Sequence, residues 1–163
     1  MARLGALVCL WTVLLAPAYA DEAAPSLLDF ELRSLAGPEV HSLQAYAGKP
    51  VVLLFFQPEC NWCLRQVRSL NELKRECDDG FNAVLVGVRG TRSELRTELR
   101  RLKPDFAAYQ ASPSLLEAIG GVETTPLMLV GDAEGRFVTW MRGFIPEDEF
   151  LASLSEAGPM GCS

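Results

Sequence analysis

An uninterrupted apolar run, Val51–Phe56, constrains the fold of this chain more than any other feature of its sequence. A run that is apolar on both faces, with β-branched and aromatic members, predicts a central strand covered on both sides. Apolar residues then recur at helical spacing from Leu64 to Cys77, and a second apolar run follows at 81–88. Because strand, helix and strand follow in this order, we expect a parallel pair of strands joined by a right-handed crossover.

The remaining patterns predict further helices and a closing hairpin around this unit. Before it, Phe30, Leu32 and Val40 alternate with polar residues around a turn signal. After it come a helix capped by Ser93, a short helix over Ser114–Ile119, strands over Leu127–Val130 and Arg136–Met141, and a helix over Pro146–Ser155. The predicted fold class is α/β, with a mixed β-sheet and helices on both faces.

The first 20 residues have the pattern of a secretory signal peptide. Arg3 is followed by an apolar stretch, Leu4–Leu15, and then by small residues that end in Ala18-Tyr19-Ala20. This pattern predicts cleavage after Ala20, which leaves residues 21–163 as a single exported domain in a bacterial periplasm. An uncleaved membrane anchor is disfavoured because the stretch is shorter than the roughly 20 residues of a spanning helix.

Charge and cysteine content narrow the classes of function. The formal net charge is −6, which disfavours binding to nucleic acid or to an anionic membrane surface. Cys60, Cys63, Cys77 and Cys162 follow the predicted cleavage site. Since an exported chain meets an oxidising compartment, we expect disulfide chemistry from these four cysteines.

Cys60 and Cys63 lie where the buried strand gives way to the helix. With Cys60 at the helix start, Cys63 lies about one turn further on, and side chains three residues apart on a helix are neighbours. Unpaired N–H groups and the positive end of the dipole favour a thiolate there, so the pKa of Cys60 should fall below the free value of about 8.5. Since only the thiolate attacks a disulfide, Cys60 is the predicted nucleophile and Cys63 the predicted resolving thiol.

Other functions of a Cys-x-x-Cys pair fit the sequence less well. A structural staple between near neighbours stabilises little. A zinc site needs four ligands and a copper-handling module needs a histidine, but the remaining candidates are Cys77, Cys162 and the lone His41. A thiol peroxidase would need Thr or Ser three residues before its cysteine and Pro seven before, where Gln57 and Leu53 stand. We therefore predict a redox-active disulfide with no metal or bound cofactor. The alternative function is a copper-handling or non-catalytic binding module.

Several segments resemble the exported TlpA/ResA-like branch of the thioredoxin-fold family. They are Leu43–Leu53, Phe55–Cys63, Ile119–Leu127, 132–136 and 142–144. The resemblance extends over about Leu28 to Leu154 and implies a thioredoxin-like fold. It also implies a thiol–disulfide oxidoreductase, more a reductase than an oxidase, that exchanges disulfides with protein thiols. Such a protein is expected to be a monomer and to be reset by a membrane redox partner.

The family's functional residues match individual positions of this chain. Cys60 matches the attacking cysteine and Cys63 the resolving one. Pro126 matches a cis-proline that faces the pair, and Thr125 matches the residue before it. This match implies that the Thr125 backbone binds an extended substrate segment by strand addition. Trp62, beside the attacking sulfur, is expected either to contact substrate or to shield the pair from water.

Two positions before the cysteine pair, Leu54 and Glu59, depart from the family pattern. Leu54 stands six residues before the first cysteine, where thioredoxin has a buried aspartate. Glu123, near the predicted cis-proline, is the candidate proton relay in its place, with a plain surface glutamate as the alternative. Glu59 replaces a tryptophan that often precedes the first cysteine, and its negative charge would raise the pKa of Cys60. With two uncharged residues between the cysteines, these departures favour a reducing or intermediate potential.

The other two exported cysteines are open to three interpretations. In the thioredoxin-like fold the first long helix and the last helix share one face of the sheet. Cys77 closes the first and Cys162 follows the second, so a structural disulfide between them is expected. Two free thiols, or a relay to Cys60, are the alternatives.

A stripe of arginines marks the helix after the second strand. Its members are Arg92, Arg96 and Arg100. Such a stripe is typical of a solvated helix face, although it would also suit an acidic partner.

Overall fold

A seven-stranded mixed sheet organises the part of the chain that the computed structural model describes, residues 25–77, 80–159 and 162. The strands are β1 Glu31–Ser34, β2 Val40–Ser42, β3 Val51–Phe56, β4 Asn82–Gly87, β5 Ala108–Gln110, β6 Leu127–Gly131 and β7 Phe137–Arg142. Their order across the sheet is β2-β1-β5-β4-β3-β6-β7. The predicted signal peptide, residues 1–20, lies outside the described residues and stays a prediction.

β3 is an interior strand, as its apolar sequence predicts. All of its residues are fully buried. β3 runs parallel to β4, with Phe55 opposite Val86, and antiparallel to β6, with Phe55 opposite Leu127. The predicted parallel pair is confirmed, as is the hairpin of β6 and β7. The carboxyl end of β3 therefore delivers the chain to the loop that carries the cysteines.

Helices cover both faces of this sheet, which confirms the predicted α/β class. Among the described residues they are α1 Asn61–Glu76, α2 Arg92–Leu102, α3 Pro113–Ala118, α4 Glu147–Ala157 and a 3₁₀ turn at Leu43–Tyr46. One core packs the sheet against α1, α2 and α4 and includes Val67, Leu95 and Phe150. The other packs it against α3 and the N-terminal segment and includes Leu28 and Leu115. Within the described ranges, no helix is both long and apolar enough to cross a membrane.

Two local expectations fail and one strand was missed, each for a local reason. The N-cap of α2 is Thr91 rather than Ser93, because Thr91 and Glu94 exchange both hydrogen bonds of a capping box. Val40 is 55% exposed because β2 is an edge strand. Strand β5 has only three residues, too few to show the alternation on which a strand prediction depends.

Candidate active site

The disulfide between Cys60 and Cys63 lies at the start of α1, directly after the loop that leaves β3. Cys60 is the N-cap residue of α1, and its Sγ accepts a hydrogen bond from the backbone N–H of Cys63 at 3.2 Å. Cys60 is 8% exposed, whereas Cys63 is fully buried. An incoming sulfur therefore has access to Cys60 first. A thiolate at this position would face an N–H donor and the positive end of the helix dipole.

The loop before β6 lies against this disulfide. Because Leu127 pairs with Phe55, the start of β6 is beside the end of β3. The peptide bond between Thr125 and Pro126 is cis. The Oγ1 of Thr125 donates to the Sγ of Cys60 at 3.5 Å. The structure thus brings together the pair Cys60 and Cys63 and the pair Thr125 and Pro126, which lie 62 or more positions apart in the sequence.

An aromatic and cationic patch adjoins the disulfide on the other side. Trp62 is 54% exposed, and its ring centroid lies 6.3 Å from that of Phe144. The guanidinium carbon of Arg65 lies 5.1 Å from the Trp62 centroid and 4.6 Å from the Phe144 centroid. Trp62 is therefore held at the surface by cation–π and ring contacts, where a bound partner can reach it.

Neither of the two positions singled out from the sequence, Leu54 and Glu123, supplies a buried carboxylate like that of thioredoxin. Leu54 is fully buried in β3. The side chain of Glu123 is 82% exposed, and its Oε2 lies 3.9 Å from Nη1 of Arg142. A carboxylate in this position is open to water. Its predicted role as a proton relay therefore requires a substrate that covers it.

An apolar groove begins at the same loop. It has a volume of about 480 Å³, and its lining includes Thr124, Leu127, Leu129, Phe137, Trp140 and Arg142. Phe137 and Trp140 lie on β7, an edge strand, and are 51% and 53% exposed. The groove therefore extends along the last two strands from a point next to Thr125.

Three charged side chains near the site were not identified from the sequence. Glu98 and Arg101 of α2 pair with each other and bind the backbone next to Cys60. Arg89 donates to the side chain of Gln57 at 2.6 Å and to the carbonyl oxygen of Val122. One signal was available, because Glu98 interrupts the apolar stripe of α2. The arginines carry no signal of their own, since their partners are remote in sequence.

Cys77 and Cys162 also form a disulfide. Cys77, the C-cap residue of α1, is bonded to Cys162, 85 residues later, with an S–S distance of 2.02 Å. Cys77 is 2% exposed. Of the three interpretations, the structure has the direct bridge.

The remaining metal-ligand candidate lies far from the cysteines. His41 is in β2, at the opposite edge of the sheet, with β1, β5 and β4 between it and β3. At about 4.8 Å per strand, four steps amount to nearly 20 Å. Within residues 25–77, 80–159 and 162, no group of three or more His, Cys, Asp or Glu residues is arranged to hold a metal ion.

Comparison with known proteins identifies the family. The AhpC/TSA family model matches residues 21–113, which is more than half of the chain. The chain belongs to the AhpC/TSA family. No curated protein sequence matches it.

Solved structures agree with this AhpC/TSA membership at the level of the fold. A secreted disulfide oxidoreductase of Mycobacterium tuberculosis, described as homologous to DsbE of E. coli, is 20% identical with a TM-score of 0.65, over 78% of this chain and 96% of that chain. A thioredoxin-family thiol:disulfide interchange protein of Chlorobium tepidum is 20% identical with a TM-score of 0.70, over 85% and 99% of the two chains. An exposed lipoprotein thioredoxin of Streptococcus pneumoniae is 27% identical with a TM-score of 0.67, over 78% and 98%.

These likenesses bear out the resemblance seen in the sequence. The AhpC/TSA chain has the thioredoxin-like fold, and the Cys-x-x-Cys pair, of thioredoxin-like thiol–disulfide oxidoreductases.

Proposed function

We propose that this protein is an exported thiol–disulfide oxidoreductase that reduces disulfides in other proteins. One observation carries the proposal. Cys60, at the N-terminus of α1, is 8% exposed, its partner Cys63 is fully buried, and Oγ1 of Thr125 lies 3.5 Å from the Cys60 sulfur. This arrangement gives the two sulfurs different roles, which a structural staple does not need.

The exchange proceeds in two balanced steps. The Cys60 thiolate attacks one sulfur of a substrate disulfide, so that a mixed disulfide forms and the other substrate sulfur leaves as a thiolate. Cys63 loses its proton and attacks Sγ of Cys60, which releases the second substrate thiolate. Two electrons have then passed to the substrate, and Cys60 and Cys63 are joined as in the present structure. A membrane redox partner is proposed to return them to thiols.

The surroundings of Cys60 favour a reductase over an oxidant. The Cys63 N–H and the dipole of α1 stabilise its thiolate. The residues between the cysteines, Asn61 and Trp62, are uncharged, and Glu59 precedes the pair. A strongly oxidising pair needs a reduced form with extra stabilisation, and Glu59, Asn61 and Trp62 add none to that from the helix N-terminus.

The substrate is proposed to be a polypeptide that pairs with the loop of Thr125. Its chain would add as a strand to that backbone, and Trp62 would contact it beside the exchanging sulfur. The apolar groove starts at Thr124, next to Thr125, and contains the exposed rings of Phe137 and Trp140. Because groove and loop are continuous, the same substrate segment would place its apolar residues there. A substrate bound in this way would also cover Glu123, whose carboxylate would then take up the proton of Cys63.

The site of action is proposed to be the periplasm, after cleavage of the leader at Ala20. The sequence pattern of residues 1–20 supports this part of the proposal.

The reduction potential of the Cys60–Cys63 pair is the direct test. The mature protein would be equilibrated with graded glutathione or dithiothreitol buffers, and free thiols counted by alkylation and mass spectrometry. A value near that of thioredoxin, about −270 mV, is expected. A value near about −120 mV would make the protein an oxidant and overturn the direction. If no reversible two-electron couple exists, the proposal of an exchange enzyme fails, and a binding module takes its place.

A further inference from the structure

The loop that carries Cys60 is held from one side by an ion pair of α2. Glu98 has a side chain that is 7% exposed, and its Oε2 accepts the backbone N–H of Glu59 at 3.3 Å. Arg101 donates from Nη2 to the carbonyl oxygen of Cys60 at 2.9 Å and from Nη1 to Oδ1 of Asn61 at 3.2 Å. Its Nε donates to both carboxylate oxygens of Glu98, at 3.1 and 3.2 Å. One ion pair therefore binds three consecutive residues of the active-site loop.

Packing of α2 alone does not account for this pair. Glu98 lies on the buried face of the helix, among Leu95 and Leu102. An apolar residue would complete that face, whereas a buried carboxylate is costly unless it is paired and hydrogen-bonded. Glu59 has a φ of 61°, a left-handed conformation that is uncommon outside glycine. The Glu98 carboxylate accepts the N–H of this residue, so it fixes the turn that aims Cys60.

The pair also places charge at the first carbonyl group of α1. The carbonyl oxygen of Cys60 accepts the N–H of Leu64 at 3.3 Å, in the first turn of the helix, as well as the guanidinium of Arg101. The side chain of Arg101 is 35% exposed, so its charge is only partly screened by water. The positive charge of Arg101 favours a thiolate on Cys60, and the negative charge of Glu98 opposes it.

We propose that Glu98 and Arg101 are positioning residues that set the reactivity of Cys60. They hold the backbone of residues 59–61 in place, and their charges act in opposite directions on the thiolate. This inference rests on the proposed exchange function, since it concerns how readily Cys60 attacks.

Because Arg101 and Glu98 carry opposite charges, their removal should shift the pKa of Cys60 in opposite directions. A purely structural role of the two residues does not predict this result. Arg101→Gln removes the favourable charge, so the pKa of Cys60 should rise and the reduction potential should become more negative. Glu98→Gln removes the opposing charge and keeps an oxygen that accepts the Glu59 N–H. The pKa of Cys60 should then fall and the potential should become less negative. Each shift should be about half a pKa unit, or about threefold in thiolate concentration below the pKa.

The experiment measures the rate of Cys60 alkylation as a function of pH in the reduced mature protein, residues 21–163. The matched control is Arg100→Gln, which removes the same charge from the neighbouring position. Arg100 is exposed and donates to Arg96 and Thr97 of its own helix. We expect this control to match the wild type within experimental error. Glutathione equilibration of each variant gives the potential independently.

Two results would overturn the proposal. If Arg101→Gln behaves like Arg100→Gln, the contact with Cys60 has no influence on its reactivity. If Arg101→Gln and Glu98→Gln move the pKa in the same direction, they merely loosen the loop. Failure of the proposed function looks different, because the wild-type protein would then show no reversible couple at all.

Discussion

The N-terminal and C-terminal ends of α1 each carry a disulfide, in different surroundings. At the first end, Cys60 and Cys63 are three positions apart, and Cys60 is partly reachable. At the other end, Cys77 is 2% exposed and bonded to Cys162, 85 positions later. The helix between them has 16 residues, so the two bonds are about 24 Å apart along its axis.

The comparison shows how position on a helix assigns a disulfide its role. The N-terminus offers free N–H groups and a positive dipole end, both of which stabilise a thiolate. At the C-terminus the backbone N–H of Cys77 already donates to the carbonyl oxygen of Leu73 at 2.8 Å, and the dipole end is negative. A thiolate is therefore stabilised at Cys60 and not at Cys77. In the chain-entropy model the longer loop makes the second bond the stronger constraint on the unfolded chain.

The largest expected difference between the two ends is in turnover. Cys60→Ser should reduce exchange with a protein disulfide by at least about 1,000-fold, because Cys63 is fully buried and Cys77 and Cys162 are bonded to each other. The double variant Cys77→Ser/Cys162→Ser should stay within about twofold of the wild type, since this pair lies at the far end of α1. Insulin reduction with dithiothreitol as electron donor measures both.

A loss of turnover in the double variant that is as large as in Cys60→Ser would contradict the division of roles. It would revive the relay interpretation, in which electrons reach Cys60 through the second pair. Circular dichroism and thermal unfolding of each variant would separate such a loss from misfolding.

The next expected difference is in stability, where the Cys77–Cys162 bridge should matter more than the Cys60–Cys63 bridge. Loss of the Cys77–Cys162 bridge should lower the free energy of unfolding by about 4 kcal/mol, whereas loss of the Cys60–Cys63 bridge should cost about 2 kcal/mol or less. Urea unfolding of the two double-serine variants under oxidising conditions gives both values. Equal losses would mean that the loop lengths of 85 and three do not govern the stabilisation.

The sequence predicted the Cys60–Cys63 pair at the start of α1 better than it predicted the residues that hold this pair in place. The apolar run of β3, the helical spacing after Cys63 and the Cys-x-x-Cys pair are local, so they appear in a reading of the chain. The contacts of Arg101 with Cys60 join residues 41 positions apart. No local pattern encodes such a contact. The predicted relay Glu123 shows the same limit, since burial decides that role and the sequence gives only proximity to Pro126.

The groove gives a third and smaller contrast, between the β7 edge of the sheet, where the groove lies, and the β2 edge. Trp140→Ala should raise KM for a protein disulfide about threefold, because an apolar contact of the substrate is lost. Its rate with glutathione disulfide should not change, since a small substrate does not extend into the groove. Val40→Ala is the matched control, as Val40 is 55% exposed on β2 at the far edge.

An equal rise in KM for both variants would indicate a general surface effect. An unchanged KM in Trp140→Ala would remove the groove from the substrate site, and leave the loop of Thr125 and Trp62 as the remaining proposed contacts.

The smallest expected effect concerns acidic residues around the C-terminal half of α1. The pKa of Glu147, in the first turn of α4, is raised from its ordinary value of 4.5 by desolvation, and then by Glu76, Glu72 and Asp148. Since the folded pKa lies above the unfolded one, the ionised carboxylate destabilises the fold at neutral pH. Stability from this group should therefore rise as pH falls through the raised pKa.

Glu147→Gln should accordingly raise Tm by about 1 °C at pH 7. The difference in Tm from the wild type should disappear below pH 4.5, where Glu147 is protonated in both the folded and the unfolded protein. Differential scanning calorimetry at several pH values measures it. The potential of the Cys60–Cys63 pair should not move, because this cluster belongs to the end of α1 that supports the fold. A lower Tm at pH 7 would mean that the attraction of Glu147 to the N-terminal dipole of α4 exceeds its repulsion from the other carboxylates. The C-terminal end would then be stabilised by its acidic residues as well as by its disulfide.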